Sequence, residues 1–214
     1  MEHLQHEEEQ LERVRQWWEK NGKALIAGVI VAIIAALGAQ YWLKEQRNYN
    51  ETASVEYSRL LQAIEAGDES APGLAERISQ DYGDTVYASY AALLRARMAV
   101  ENKQWPVAAN QLQWLIDNSD ESGLIHLARI RLARVMLEQG QAEALLDMLA
   151  EVEAEVFVTD YAELRGDAYF ELGKPDKARE AYTEALAAAS LQRNTRLLQI
   201  KLDDLAVGAK DTAQ

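Results

Sequence analysis

YAELRGDAYFELGKPDKAREAYTEAL, residues 161–186, decides the fold. Its apolar and small residues recur at helical spacing on both sides of Lys174-Pro175, and a proline favours the first turn of a helix. Two helices joined by a tight turn follow. Gly166 and Ala178 keep the facing surfaces small enough for close approach, while Tyr169 and Tyr182 fill the space between the helices. A helical hairpin is the expected unit.

Such a hairpin cannot bury its apolar face alone, so copies are expected nearby. Gly166, Tyr169, Gly173, Ala178, Tyr182, Ala185 and Leu186 stand at the spacing of the tetratricopeptide signature. Ala92, Ala96, Ala99, Trp105, Ala108, Leu112 and Leu115 occupy corresponding places in a first copy. Ala133, Met136, Gly140, Ala144 and Met148 do so in a second, if its turn is one residue shorter. Ala108, Ala144 and Ala178 are then 36 and 34 residues apart, near the ~34-residue period of that repeat. With three prolines and no Val/Ile/Thr-rich alternation, the fold class is all-α, a tetratricopeptide-like solenoid of helical hairpins over 84–190.

Around the repeats, residues 44–83 read as N-terminal helices of the same domain. Tyr49, Ala53, Tyr57, Leu60, Leu61 and Ile64 mark one face as far as Gly67-Asp68; Pro72 then starts a short helix ending at Tyr82-Gly83. Asp84 and Thr85 offer the next N-cap. Leu191, Leu197, Leu198, Ile200, Lys201, Leu202 and Leu205 form a last helix over 191–207, whose apolar face should cover the solenoid end. Residues 208–214, from Gly208 to the final DTAQ, are a polar tail.

Residues 24–43, ALIAGVIVAIIAALGAQYWL, have another character: twenty positions between Lys23 and Lys44 without a formal charge. At ~1.5 Å rise they match the ~30 Å of a bilayer core. Leu25, Ile26, Val29, Ile30, Val31, Ile33, Ile34 and Leu37 together favour insertion by roughly 3–4 kcal/mol. Trp17 and Trp18 precede the span, and Tyr41 and Trp42 close it, where amphipathic rings prefer the headgroup level. A retained transmembrane helix is expected. A buried core helix and a signal peptide cleaved after Ala36-Leu37-Gly38 remain alternatives, the latter opposed by the acidic 23-residue arm before the span. Gly28, Ala32, Ala35 and Ala39 leave one face of the span nearly bare, which suits contact with another membrane helix. Arg13, Arg15, Lys20 and Lys23 before it, against Lys44 and Arg47 after it, bias the N-terminus to the cytoplasm.

The arm, residues 1–23, places Leu4, Leu11, Val14 and Trp18 on a helical stripe, which reads either as a short interfacial helix or as a frayed anchor. It carries six Glu and four Lys/Arg, a charge of −2; the chain total of −13 leaves −11 beyond the membrane. That balance opposes nucleic acid and anionic lipid as partners. No cysteine is present, which removes disulfides, thiol catalysis and thiolate metal sites. His3 and His6 lack accompanying carboxylate geometry for a metal, and His126 sits near a helix start. No nucleophile elbow, phosphate loop, dinucleotide fingerprint, zincin motif or calcium loop occurs, so neither an enzyme nor a cofactor is expected.

A binding groove is the better reading of the repeats. In tetratricopeptide proteins the first helix of each pair lines the inner side. By register that turns Tyr90, Leu93, Arg97, Val100 and Glu101 inward, then Leu127, Ile130, Arg134, Leu137 and Glu138, then Asp160, Glu163, Asp167, Phe170 and Glu171. Val100, Leu137 and Phe170 would form an apolar row beside an acidic row of Glu101, Glu138 and Glu171, suited to an apolar, basic-flanked segment of a partner. Alternatively, Arg97–Glu101 and Arg134–Glu138 are i,i+4 pairs of ordinary helix surface.

NGKAL (21–25) before the span, IRLARV (130–135), ELRGDAYFELGKPDKAREAY (163–182) and LLQIKLDDLA (197–206), in this order, resemble the YfgM family, tetratricopeptide-containing ancillary subunits of the SecYEG translocon in Gram-negative bacteria. The resemblance implies a single-pass inner-membrane protein with a periplasmic domain. It also implies association with SecYEG and with the periplasmic chaperone PpiD, and a part in passing emerging proteins onward. Arg165 and Ser190 depart from the repeat, which commonly has Leu and Pro there. A scaffold for another envelope assembly and an exported enzyme are the competing classes.

Overall fold

The computed structural model of the chain describes residues 2–150, 152, 156–189 and 195–211, with the side chains of 2–11, 14 and 206–211 left aside. The expectations for His3, His6, Leu4, Leu11, Val14, Ser190, Leu191 and residues 212–214 lie outside the described residues. Every regular element described is a helix. The chain divides into two units, Met1–Thr52 and Ala53–Gln214.

The described residues of the first unit are all helical, within α1 (Glu2–Glu65). No proline occurs before Pro72, so nothing in the sequence stops the backbone ladder at the polarity changes near residues 23 and 43. The helix runs unbroken through both borders. The apolar side chains of 24–43 are exposed, Ile34 at 64 % and Trp42 at 65 %, so this is no core helix of the chain. Among the described residues it is the one helix long and apolar enough to cross a membrane.

The second unit comprises the end of α1 followed by α2 (Ala71–Asp81), α3 (Val86–Glu101), α4 (Trp105–Asn118), α5 (Ser122–Glu138), α6 (Ala142–Ala150), α7 (Val158–Glu171), α8 (Pro175–Ala188) and α9 (Arg196–Asp211). Thr85 caps α3 as expected, its Oγ1 accepting from the Ala88 N–H at 3.3 Å. The last helix, α9, continues past Gly208 to Asp211.

One turn recurs through this unit. Gly67, Lys103, Gly140 and Gly173 each follow a helix with φ of 67°, 55°, 69° and 66°. The N–H of the next residue then donates back five residues: Asp68 to Ala63 O (2.9 Å), Gln104 to Ala99 O (2.8 Å), Gln141 to Met136 O (2.9 Å) and Lys174 to Tyr169 O (2.8 Å). This is the left-handed helix stop that glycine favours. The expectation of a shortened second turn is therefore corrected: that turn has the same length as the others. In consequence Ala144 is exposed, and Leu145 is fully buried in the place held by Ala108 and Ala178. The true spacings are 37 and 33 residues. Variation in repeat length falls partly in the helices, α5 having 17 residues against 14 in α7.

Small residues set the helix approach. Ala88, Ala91, Ala92, Ala96 and Ala99 of α3 are all buried, and Leu112 and Leu115 of α4 pack into the same core as Ala92, Ala96 and Ala99. A Cβ added at Gly166 would stand 2.3 Å from Tyr182 Cε1, so the α7–α8 contact requires a glycine there. Tyr182 is buried in the cluster of Ala162, Ala178, Ala185, Leu198 and Leu205, with Tyr169 packed against it, as the sequence predicts. Arg165, where the repeat pattern has leucine, pairs with Glu184 of α8 at 2.8 Å instead. Leu198 and Leu205 bring α9 onto the last hairpin, the covering role expected of it.

Candidate interaction groove

Equivalent positions in α3, α5 and α7 follow from the shared turn: Leu93, Ile130 and Glu163; Arg97, Arg134 and Asp167; Val100, Leu137 and Phe170; Glu101, Glu138 and Glu171. The structure uses these rows in two ways.

Between α3, α4 and α5 lies an open cavity of about 510 Å³. Ala96, Val100, Trp105, Leu112 and Val135 supply its apolar wall; Arg97, Glu101, Arg131, Arg134 and Glu138 supply its charge. The cavity thus gathers five of the expected groove residues: Arg97, Val100, Glu101, Arg134 and Glu138. Arg97 Nε donates to Glu101 Oε1 at 2.8 Å, the expected i,i+4 pair. The second such pair, Arg134–Glu138, is absent among the described contacts. Both side chains are exposed and both face the cavity.

Leu93 and Ile130, expected inward, are buried at 8 % and 6 % in the cores beneath and are not brought to the groove. Leu127 and Leu137 are half-buried against the same cores. Tyr90 is at the edge of exposure and meets Tyr57 in a tilted contact, with ring centres 5.9 Å apart.

The third copy is closed. Lys201 of α9 reaches α7 with Nζ at 2.8 Å from Glu163 Oε1 and at 2.6 and 2.8 Å from the two Asp167 oxygens. The Tyr182 hydroxyl donates to Asp167 Oδ1 at 2.7 Å. Burial, reinforced by the Asp167 carboxylate, pushes the Tyr182 phenol far above its ordinary range, so it remains a donor. Glu163 and Asp167, expected in an open groove, are thus occupied from within. Phe170 and Glu171 stay exposed beside them, and Asp160 is half-buried.

His126 is more than the cap-adjacent residue its position predicts. Its Nδ1 lies 2.8 Å from the Tyr161 hydroxyl, and its ring stacks on Phe157 at 4.8 Å. Burial, with the Arg129 charge, lowers its pKa. The Tyr161 hydroxyl and the imidazole thus form a structural hydrogen bond within the packing of α5 on α7. In the span, Gly28, Ala32, Ala35 and Ala39 are all exposed along α1, with no atom within 4 Å of a Cβ built on Gly28.

Comparison with known proteins places this architecture. The tetratricopeptide repeat-like domain family matches residues 15–207. A protein of Escherichia coli (strain K12) named "Ancillary SecYEG translocon subunit" is 32 % identical over 208 residues, which is 97 % of this chain and 100 % of the relative. The chain belongs to the family of ancillary SecYEG translocon subunits. Members of the same name from Haemophilus influenzae (27 % over 199 residues, 93 % and 97 % covered) and Neisseria gonorrhoeae (29 % over 207 residues, 95 % and 98 % covered) agree. Among solved structures, "MamA 41-end from Desulfovibrio magneticus RS-1" superposes with a TM-score of 0.54 at 15 % identity, covering 75 % of this chain and 91 % of that one. That likeness shows the shared helical-repeat fold alone.

The cavity residues that sequence reasoning missed are Ala96, Trp105, Leu112, Arg131 and Val135. Arg131 stands three residues before Arg134 and four before Val135, so the helical spacing of this face was present in IRLARV. What periodicity alone lacked was the contribution of the second helix, α4, whose Trp105 and Leu112 close the wall.

Proposed function

We propose that the chain is a non-enzymatic, membrane-anchored adaptor of the SecYEG translocon. One helix, residues 24–43, crosses the inner membrane with the N-terminus cytoplasmic, and the hairpin domain stands in the periplasm. There the domain helps pass translocated proteins to periplasmic chaperones, a PpiD-like chaperone among its partners. The observation that carries this reading is the end-to-end match: the whole of an ancillary translocon subunit aligns with 97 % of the chain, span and repeats together. The charge of the flanks supports the orientation, with Arg13, Arg15, Lys20 and Lys23 before the span and Lys44 and Arg47 after it. The small-residue face of Gly28, Ala32, Ala35 and Ala39 supplies the contact in lipid, and the α3–α4–α5 cavity supplies the contact in water.

Photocrosslinking in intact cells, with a photoreactive residue in place of Ala32 or Ala35, tests the reading. Crosslinks to SecY or SecE from this face, and none from the opposite face at Ile30 or Ile34, are expected. Crosslinks to unrelated envelope proteins alone would replace the translocon by another assembly. Because the chain has no cysteine, a single Ser122→Cys variant reports topology. Labelling by a membrane-impermeant maleimide from the periplasmic side is expected, and labelling only after lysis of the inner membrane would overturn the orientation.

A further inference from the structure

We propose that the α3–α4–α5 cavity receives a large apolar side chain of a polypeptide partner that carries aspartate or glutamate beside it. This names the partner chemistry of the groove and rests on the docking role given to it above. The volume, about 510 Å³, is that of a side-chain or small-ligand pocket. Its wall of Ala96, Val100, Leu112 and Val135, with the Trp105 ring, is apolar and would exclude water from an inserted leucine or phenylalanine.

Charge then sets what flanks that side chain. The rows of the sequence alone favour a basic flank, because Glu101, Glu138 and Glu171 fall in line. The structure alters the balance. Glu101 is already held by Arg97 at 2.8 Å. Arg131 and Arg134 point to the same cavity and have no ionic partner among the described residues, and one carboxylate, Glu138, is left against them. Glu171 belongs to α7 and does not line the cavity. Two planar guanidiniums, presented on one face of α5 beside an apolar wall, match a carboxylate with geometric specificity. The cavity is therefore locally cationic in a chain whose net charge is −13.

That opposition makes the test sharp, since the field of the whole molecule attracts bases while the cavity selects acids. Two fluorescein-labelled peptides share a central Phe-Leu in a Gly/Ser frame and differ only in Asp or Lys at the flanking positions. Anisotropy titration uses the full chain in nanodiscs of phosphatidylcholine. The Asp-flanked peptide is expected to bind at least roughly fivefold tighter. Arg131→Gln/Arg134→Gln should remove the preference, Arg131→Glu/Arg134→Glu should invert it, and Val100→Trp, which fills the cavity, should weaken both peptides. Preference of the unaltered protein for the Lys peptide, lost in Val100→Trp, would overturn the charge assignment and leave docking in place. Absence of binding by either peptide, or binding indifferent to both Arg131/Arg134 pairs, would overturn this use of the cavity, while the translocon reading is decided separately by the SecY crosslinks. The substituted arginines are exposed, and thermal melts of each variant establish that it is folded.

Discussion

The first and last hairpins place equivalent positions in opposite circumstances. Leu93 in α3 is core, and Arg97 one turn on looks into an open cavity. Their counterparts in α7 are Glu163 and Asp167, and these two carboxylates hold Lys201 of α9. An apolar residue and a cation leave the inner side of one hairpin available; two carboxylates recruit the chain's own last helix to the other. The same backbone thus leaves an open cavity at one place and a closed end at another, by two side-chain choices. A solenoid needs the closed end, since an uncovered terminal repeat would expose its apolar flank.

The largest effect is expected where the last hairpin is tightest. Gly166→Ala would drive a Cβ into the Tyr182 ring, which is itself buried. Overpacking of this kind costs roughly 1–3 kcal/mol, and a denaturant titration of the full chain should register it as a lower midpoint with little change of slope. The equivalent residue of the second hairpin is already alanine, Ala133, buried with no such ring opposite it but Leu149. Ala133→Gly should therefore cost less, about 1 kcal/mol from helix propensity and a lost methyl. Equal effects at the two positions would remove the special standing of the Tyr182 contact.

Next comes the closing ion cluster. Lys201→Met removes one cation from two carboxylates whose side chains are only 16 % and 24 % exposed. With part of the charge still solvated, a loss of about 1–2 kcal/mol is expected. Hydrogen exchange should localise it to α9. Making the closed site resemble the open one sharpens the comparison: Glu163→Leu, the residue type at Leu93, added to Lys201→Met should recover much of that loss. Failure to recover would show that Asp167 alone, still accepting from the Tyr182 hydroxyl, dominates the cluster.

Most of this architecture could be read from residues. The hairpin, its glycine at 166, the filling role of Tyr182 and the Thr85 cap are local consequences of side-chain size and hydrogen-bonding capacity, and local chemistry is what a sequence displays. Three things escaped. Ala144 looked equivalent to Ala178 because alanine aligns with alanine, whereas the left-handed Gly140 fixes the register and selects Leu145. Leu93 and Ile130 looked inward because a helix between two neighbours has two apolar faces, and periodicity does not say which one a neighbour covers. The Arg134–Glu138 pair failed to form although its spacing equals that of Arg97–Glu101, since an exposed i,i+4 attraction of ~0.2–0.5 kcal/mol is easily outweighed.

The turns offer a smaller contrast. Gly67, Gly140 and Gly173 take positive φ without cost, but the first hairpin turns on Lys103 at φ 55°. Lys103→Gly should stabilise the domain by about 0.5–1 kcal/mol, the left-handed strain relieved outweighing the chain entropy lost. Gly173→Ala should destabilise by a similar amount. Both are within reach of paired urea midpoints.

The smallest effect is a pH dependence from His126. In the folded chain its ring is hydrogen-bonded to the Tyr161 hydroxyl, and burial beside Arg129 holds its pKa below the ordinary 6.5. The unfolded chain binds this proton first as pH falls, so unfolding takes up protons in the window beneath 6.5 and stability declines there. Above about pH 7 both states are neutral at this residue and the contribution is complete and constant. His126→Gln keeps a hydrogen-bonding group for the Tyr161 hydroxyl but cannot titrate. The gap in urea midpoint between the native chain and this variant should shift against the native chain between about pH 7.5 and pH 5. A gap that moves the other way would mean that the folded state favours the imidazolium.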